Sequence, residues 1–376
     1  MKREPAQIRL ALCGDVMLGR GIDQILPHPG DPTLYGPYAR SAHTYLTLAE
    51  RVSGPIPLER GVDYVWGDVL AEFDSFAPDL RLINLETAIT RRGKPWPKKS
   101  IQYRMEPRNI AVLTAARVDF CSLANNHVMD WGYRSLGDTI KALADAGIAR
   151  AGAGRDRADA SAPAILDVAG KGRVIVASMA TPSGHVPPEW ASGEGRPGVN
   201  LVEPDEHGFD EVKQSVLGLK QPGDILIASI HAGANFGYAV EPGERTLFRR
   251  MIDEAGIDLI HCHSPHHVKA IEMHNGRPIL YGTGDVINDY EGIPSPPERQ
   301  VFRSHLGTIA FADFSTDSGA CTALRLRPTK MRRLRVERAA GRGAEHLCEI
   351  LGRESAQFGT RIENRDGTLT VEVARR

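Results

Sequence analysis

Short apolar runs alternate with helical patterns along the first two thirds of the chain. "IRLALCGD" (8–15), "LRLINLE" (80–86), "VDFCSLANNH" (118–127), "DILIASIHAG" (224–233) and "IDLIHCH" (257–263) each end in polar or glycine-containing residues. Their apolar positions are continuous rather than alternating, which predicts strands buried on both faces. Between them, "PRNIAVLTAAR" (107–117), "GYRSLGDTIKALADAG" (132–147) and "GERTLFRRMIDEAG" (243–256) carry helical patterns. The last two stop at Gly147 and Gly256, as helix C-termini often do. Strand alternating with helix predicts an α/β sheet.

From about residue 264 the pattern changes. "VKAIEMHNGRPILYGTGD" predicts a hairpin turning at Asn275-Gly276, and "LGTIAFADF" with "CTALRLRP" predicts a second. The basic run "KMRRLRVER" (330–338) alternates arginine with apolar residues, as a strand with a solvated basic face would. The end of the chain predicts a helix and then a hairpin at Asp366-Gly367. Residues 331–376 are thus expected to form an appended βαββ element on a main domain of residues 1–330. Two segments rich in Pro, Gly and Ser, 27–65 and 182–204, are expected as long loops forming lids or rims.

Charge removes some functions. Lys plus Arg is 46 against 47 for Asp plus Glu, so no overall field draws nucleic acid or an anionic membrane. The five cysteines are scattered, without a CxxC pair, which fits a reducing compartment. The N-terminus has a charged start but only a short apolar run, whereas a membrane span needs about 20 apolar residues. No membrane span and a cytoplasmic location are therefore expected.

The chemistry collects where the predicted strands end, which is where ligands bind in open α/β sheets. Asp15 ends the first strand, and Asn84 with Glu86 the second. Asn125, Asn126 and His127 end the third, His231 the fourth, and His263 and His266 the fifth. Nearly a third of the 13 histidines crowd into "HCHSPHH" (261–267). Five strands delivering carboxylate, amide or imidazole to equivalent points predict a metal site; the alternative is a polar network plugging the sheet edge. The donor mixture lacks a thiolate set and suits one or two divalent ions such as Mn²⁺, Fe²⁺ or Zn²⁺. Two ions about 4 Å apart could clamp a phosphate and activate water. Cys262, between two candidate ligands, is expected as a small packing residue.

"GDVMLGR", "NLETAIT", "SLANNHVMDWG", "IHAGANFGY" and "HCHSPHHVKAIE…ILYGTGDVINDYEG" occur in that order from about 8 to 290. This series resembles that of the CapA family of poly-γ-glutamate capsule biosynthesis, a branch of the calcineurin-like metallophosphoesterases. The resemblance implies a four-layer αββα sandwich with two central mixed sheets and a metal site at the sheet edge. It also implies association with making or exporting poly-γ-glutamate or a related surface polymer. By position, Asp15 resembles the first-strand ligand, and Glu86 stands where the superfamily usually has a bridging aspartate. Asn126 resembles the amide ligand and His127 the acid beside it. His231, His263 and His266 resemble the histidine ligands, leaving His261 and His267 in supporting roles. Two departures stand out: Met17 replaces a frequent histidine, and Cys262 replaces a usual glycine.

These features imply a metal-dependent phosphoesterase-type hydrolase acting on an anionic small molecule or polymer. His127 would protonate the leaving group. Arg20, Arg104, Asn84 and Asn125 are candidate substrate contacts. The alternative is a non-catalytic accessory or scaffold of a polyglutamate-synthesising complex, with polymer-synthesis proteins as partners. The chemistry of the site, rather than the fold, distinguishes the two.

Overall fold

Alternate residues of β1 (Gln7–Val16) enter different cores: Ile8, Leu10 and Leu12 face one, Ala11 and Cys13 another. The same division in β11 (Ile225–His231) sends Ile225 and Ile227 toward the core of β1's Leu10, and Leu226, Ala228 and Ile230 away from it. Two sheets therefore share an apolar layer, and each buries its outer face under helices. This computed structural model describes residues 7–57 and 61–373. The charged start of the chain, positions 58–60 of the expected 27–65 loop and the last three residues of the tail lie outside the described residues.

The first sheet runs β18–β19–β16–β15–β1–β2–β5–β6, with β17 paired to β16. Its members are β2 (Leu80–Leu85), β5 (Phe120–Ser122), β6 (Ala149–Ala151), β15 (Leu306–Ser315), β16 (Cys321–Arg332), β17 (Arg335–Arg338), β18 (Ile362–Arg365) and β19 (Thr368–Val371). Strands β1, β2, β5 and β6 are mutually parallel, whereas β15 is antiparallel to β1. The second sheet runs β13–β14–β12–β11–β9–β8. It adds β8 (Ala164–Val168), β9 (Gly172–Ala180), β12 (Leu259–His263), β13 (Ile271–His274) and β14 (Arg277–Leu280). Two short pairs complete the strands: β3 (Ala88–Ile89) with β4 (Arg104–Met105), and β7 (Ala153–Gly154) with β10 (Gly198–Val199).

Helices α1 (Gly21–Ile25), α2 (His43–Ser53), α3 (Val69–Phe76), α4 (Ala111–Ala115) and α5 (Tyr133–Asp145) cover the outside of the first sheet. The short α6 (Arg157–Ser161) packs beside β7. Helices α7 (Glu206–Val216) and α8 (Pro242–Ala255) cover the second sheet through Phe209, Val212, Leu247, Phe248 and Met251. The result is the four-layer αββα sandwich with two mixed central sheets.

The tail has the βαββ order: β17, then α10 (Arg342–Ala356), then β18 and β19. β19 extends the first sheet at β16, and Leu347, Leu351, Leu369 and Val371 enter the layer between the sheets. Ser355 Oγ and Thr360 Oγ1 accept the backbone N–H groups of Ile271 and Met273 on β13, tying the tail to the second sheet as well. Leu351 is 1% exposed. Leu351→Ala is expected to cost about 2–5 kcal/mol, read as a lower urea midpoint.

The basic run 330–338 is a hairpin rather than one strand, because Arg333 and Leu334 turn the chain at φ 54° and 53°. The hairpin turns at Asn275-Gly276 and Asp366-Gly367 occur as expected, all four residues having positive φ. The 27–65 segment contains α2 as well as loop. The 107–117 helix is a 3₁₀ turn, Pro107–Ile110, followed by α4. The 118–127 strand is short, ending at Ser122 so that the following loop can fold back. Short α9 (Pro297–Gln300) is the remaining α-helix among the described residues. Among the described residues no helix is long and apolar enough to cross a membrane.

Candidate metal centre

The site closes one end of the layer between the sheets, where inward-facing positions switch from apolar to polar. Along β11, the face carrying Ile225 and Ile227 continues as Ser229 and His231. Along β12, the face of Leu259 continues as His261 and His263. A period of two thus aims His231 and His263 into the same space; their Nδ1 atoms lie 2.9 Å apart. On β1 the register slips between Cys13 and Asp15, a bulge that sets Asp15 opposite Asn84 on β2. Gly14 is required there, since a Cβ would fall 2.1 Å from the carbonyl oxygen of Gly284.

Asp15 is the hub. Its Oδ1 accepts from Asn84 Nδ2 at 2.7 Å, and its Oδ2 accepts from the Ser264 N–H at 3.2 Å. His263 Nδ1 is 3.9 Å from Oδ1, and His266 Nδ1 is 3.8 Å from Oδ2. Two triplets share this carboxylate, Asp15–His231–His263 and Asp15–His266–Asp285, each with ligand atoms within 4.8 Å of one another. Glu86 stands beside them, its Oε2 accepting from Asn84 Nδ2 at 3.3 Å. The Asn126 side-chain oxygen and His231 Nε2 are buried without a hydrogen-bond partner. Buried polar atoms are seldom left unpaired, and an O,N donor set that shares one buried carboxylate between two triplets fits one or two divalent cations.

The electrostatics agree. Burial, then the charge of Asp285, pushes Asp15 up to about 7. Burial, then the charge of Asp15, holds Glu86 well above the usual carboxylate range. Burial likewise pushes His231 and His263 well below the usual imidazole range. The protein alone thus disfavours the charged carboxylates that a cation would stabilise, while keeping the His231 and His263 imidazoles neutral as ligation requires. His266 differs, because burial is outweighed by the charge and hydrogen bond of Asp285 together with the charge of Asp15, which raise it.

His127 sits across from this group, with Nε2 3.8 Å from Glu86 Oε1. Asn125 places it: the Asn125 side-chain oxygen accepts the N–H groups of His127 and Val128, both at 3.0 Å. Asp130 orients the ring, Oδ2 lying 2.6 Å from Nδ1. Burial pulls His127 down to about 4, partly opposed by Asp130 and reinforced by Lys99.

The other expected residues have distinct surroundings. Asn84 and Asn125 are fully buried and hydrogen-bonded within the protein, Asn125 Nδ2 donating to Asn84 Oδ1 at 3.0 Å. The Arg20 guanidinium is buried against Asp289 and Tyr45, with its centre 4.5 Å from the Tyr103 ring. Arg104 donates to Asp31 and stacks on Trp131 at 3.9 Å. His261 Nε2 is paired with Thr283 Oγ1 at 3.2 Å. His267 accepts the Gly237 N–H at Nε2, leaving Nδ1 to donate to the Val268 carbonyl. Cys262 packs into the outer core of the second sheet. Met17 Sδ accepts from the Tyr290 hydroxyl at 3.3 Å.

Asp285 escaped sequence reasoning, although it follows β14 in "YGTGD" and obeys the same strand-end rule. It accepts from Asn288 and lies 2.9 Å from His266 Nδ1. Asp130, three positions after His127, was signalled by spacing alone; Lys99 and Tyr290 arrive on loops and carry no comparable signal.

The bacterial capsule synthesis protein PGA_cap family model matches residues 9–290. A probable polyglutamine synthesis accessory protein of Mycobacterium tuberculosis is 46% identical over 375 residues, covering 99% of this chain and 98% of that protein. The capsule biosynthesis protein CapA of Bacillus anthracis is 24% identical, over 81% of this chain and 65% of its own length. A solved phosphatase structure from Mycoplasma pneumoniae aligns at TM-score 0.49 and 11% identity, over 86% of this chain and 94% of that one; the two sheets described above establish the fold without it. With the matched segment running from β1 to the loop after β14, and so spanning every residue of the candidate centre, the chain belongs to the bacterial capsule synthesis protein PGA_cap family.

Proposed function

We propose that the protein is a metal-dependent phosphoesterase-type hydrolase linked to poly-γ-glutamate or capsule biosynthesis. The observation that carries this is the pair of buried donor triplets that share Asp15, Asp15–His231–His263 and Asp15–His266–Asp285, with Glu86 bound to the same Asn84 amide as Asp15. Those residues would hold one or two divalent ions. Such ions, when bound, polarise a phosphoryl oxygen and lower the pKa of water.

The protein's own groups supply the rest. Asn84 fixes both carboxylates by donating to Asp15 and Glu86. Asp130 holds the His127 ring through Nδ1 and opposes the effect of burial by favouring the imidazolium, the form whose Nε2–H would pass its proton to the leaving oxygen. Tyr103 and Tyr290, their hydroxyls 3.4 Å apart, form a wall between His127 and His266.

Two observations favour the accessory reading. A methionine held by Tyr290 stands at the position of a frequent ligand, and the 46%-identical relative carries an accessory-protein name. Metal analysis of the purified protein, followed by a phosphoester panel with the metal restored, separates the two. Turnover that disappears with chelation supports the hydrolase. A metal-loaded protein inactive on every phosphoester would leave the accessory role.

A further inference from the structure

Residues 91–103 leave β3 and return as β4 without forming a regular element of their own. This strap closes around one side chain. The Trp96 N–H donates to the Asp130 carbonyl at 2.7 Å, and the Tyr103 N–H donates to Asp130 Oδ2 at 2.6 Å. The Trp96 ring packs against Tyr133 and Trp190, with centroids 5.7 and 5.3 Å away. Between these anchors Lys99 turns inward. Its Nζ lies 2.6 Å from Asp130 Oδ1 and 3.0 Å from His127 Nδ1, and donates to the Ile101 carbonyl at 3.1 Å. The lysine side chain is 15% exposed and the aspartate 0%.

An ammonium withdrawn this far from water is costly unless it is paired. The strap itself does not require the charge, because Trp96 and Tyr103 already fasten it on either side. A neutral chain of the same length could pack near Trp190, whose ring lies 5.6 Å from Nζ. What the ammonium supplies is a charged partner for the second oxygen of Asp130. With Oδ1 held by Lys99, Oδ2 stays on His127 Nδ1, and the imidazole keeps Nε2 turned toward Glu86.

We propose that Lys99 is a positioning residue for His127, acting through Asp130, so that the strap 91–103 forms part of the working site. This rests on the hydrolase reading above. Lys99→Met is expected to lower kcat by about ten- to a hundred-fold on a poor leaving group, with KM and metal content nearly unchanged. Lys99→Arg should recover most of the loss. Because Lys99 acts through His127, the Lys99→Met, His127→Ala double variant should be no slower than His127→Ala alone.

Full additivity of the two losses would overturn the proposal, as would wild-type kcat in Lys99→Met. A readout independent of turnover accompanies these rates: the ring-nitrogen chemical shifts of His127 should move in Lys99→Met, while those of His267 stay in place. If the wild type hydrolyses no phosphoester, the hydrolase reading fails and these shifts alone decide whether Lys99 positions the ring. Unchanged His127 shifts would then sink the idea.

Discussion

His127→Ala is expected to reduce turnover on a phosphoester with a poor leaving group by about 10²- to 10⁴-fold, the usual worth of a general acid, while metal content stays at the wild-type level. The separation follows from geometry. His127 belongs to neither ligand triplet around Asp15, and its Nδ1 is committed to Asp130. Its Nε2 is the free edge of the ring, 3.8 Å from Glu86 Oε1. Losing the ring removes a proton donor and leaves every candidate ligand in position. For a good leaving group, which departs without protonation, the deficit should shrink toward the wild-type rate. The check is kcat on a matched pair of substrates, alongside metal analysis of the same preparation. An equal deficit on both substrates would mean that the ring does something other than deliver a proton. A loss of metal in parallel with activity would place His127 among the ligands.

The parts of this site that were legible in the sequence share one property: each residue ends a strand or lies in the loop directly after one. Asp15, Glu86, His231 and His263 follow continuous apolar runs, so their position was set by the strand's own burial. Asp285 obeys the same rule but follows β14, a four-residue strand of a hairpin, whose short run hides the pattern. Lys99 and Tyr290 could not be found this way. They reach the site through loops whose paths depend on distant anchors, Trp96 on Asp130 and the Tyr290 hydroxyl on Met17. Fold features divided along similar lines. The turns at Asn275-Gly276 and Asp366-Gly367 use residues that tolerate positive φ, whereas the turn at Arg333-Leu334 uses two that seldom do. The β8–β9 hairpin and α7 were passed over because they lie beside the Pro- and Gly-rich 182–204 segment, where loop composition dominated the pattern.

The largest effect on the centre itself should come from removing one histidine of each triplet. The His263→Ala, His266→Ala double variant is expected to retain its fold and to lose nearly all bound metal. His263 and His266 lie with Asp15 in different triplets, so the pair of changes cuts both halves of the donor set at once. Neither residue holds the sheets together: the β11–β12 ladder runs through backbone pairs from Ile227 to His231, and Asp285 keeps Asn288 as a partner when His266 is gone. The consequence is also visible in stability. A ligand present at about a hundred times its Kd stabilises the folded chain by roughly 2.7 kcal/mol. Added metal should therefore raise the wild-type unfolding temperature, and chelation should lower it. The double variant should respond to neither, because it has no native-state site to saturate. Metal content measured on both proteins, with melting curves in chelator and in excess metal, tests the assignment from two sides. A double variant that still carried stoichiometric metal and still melted higher on metal addition would place the ion elsewhere in the protein.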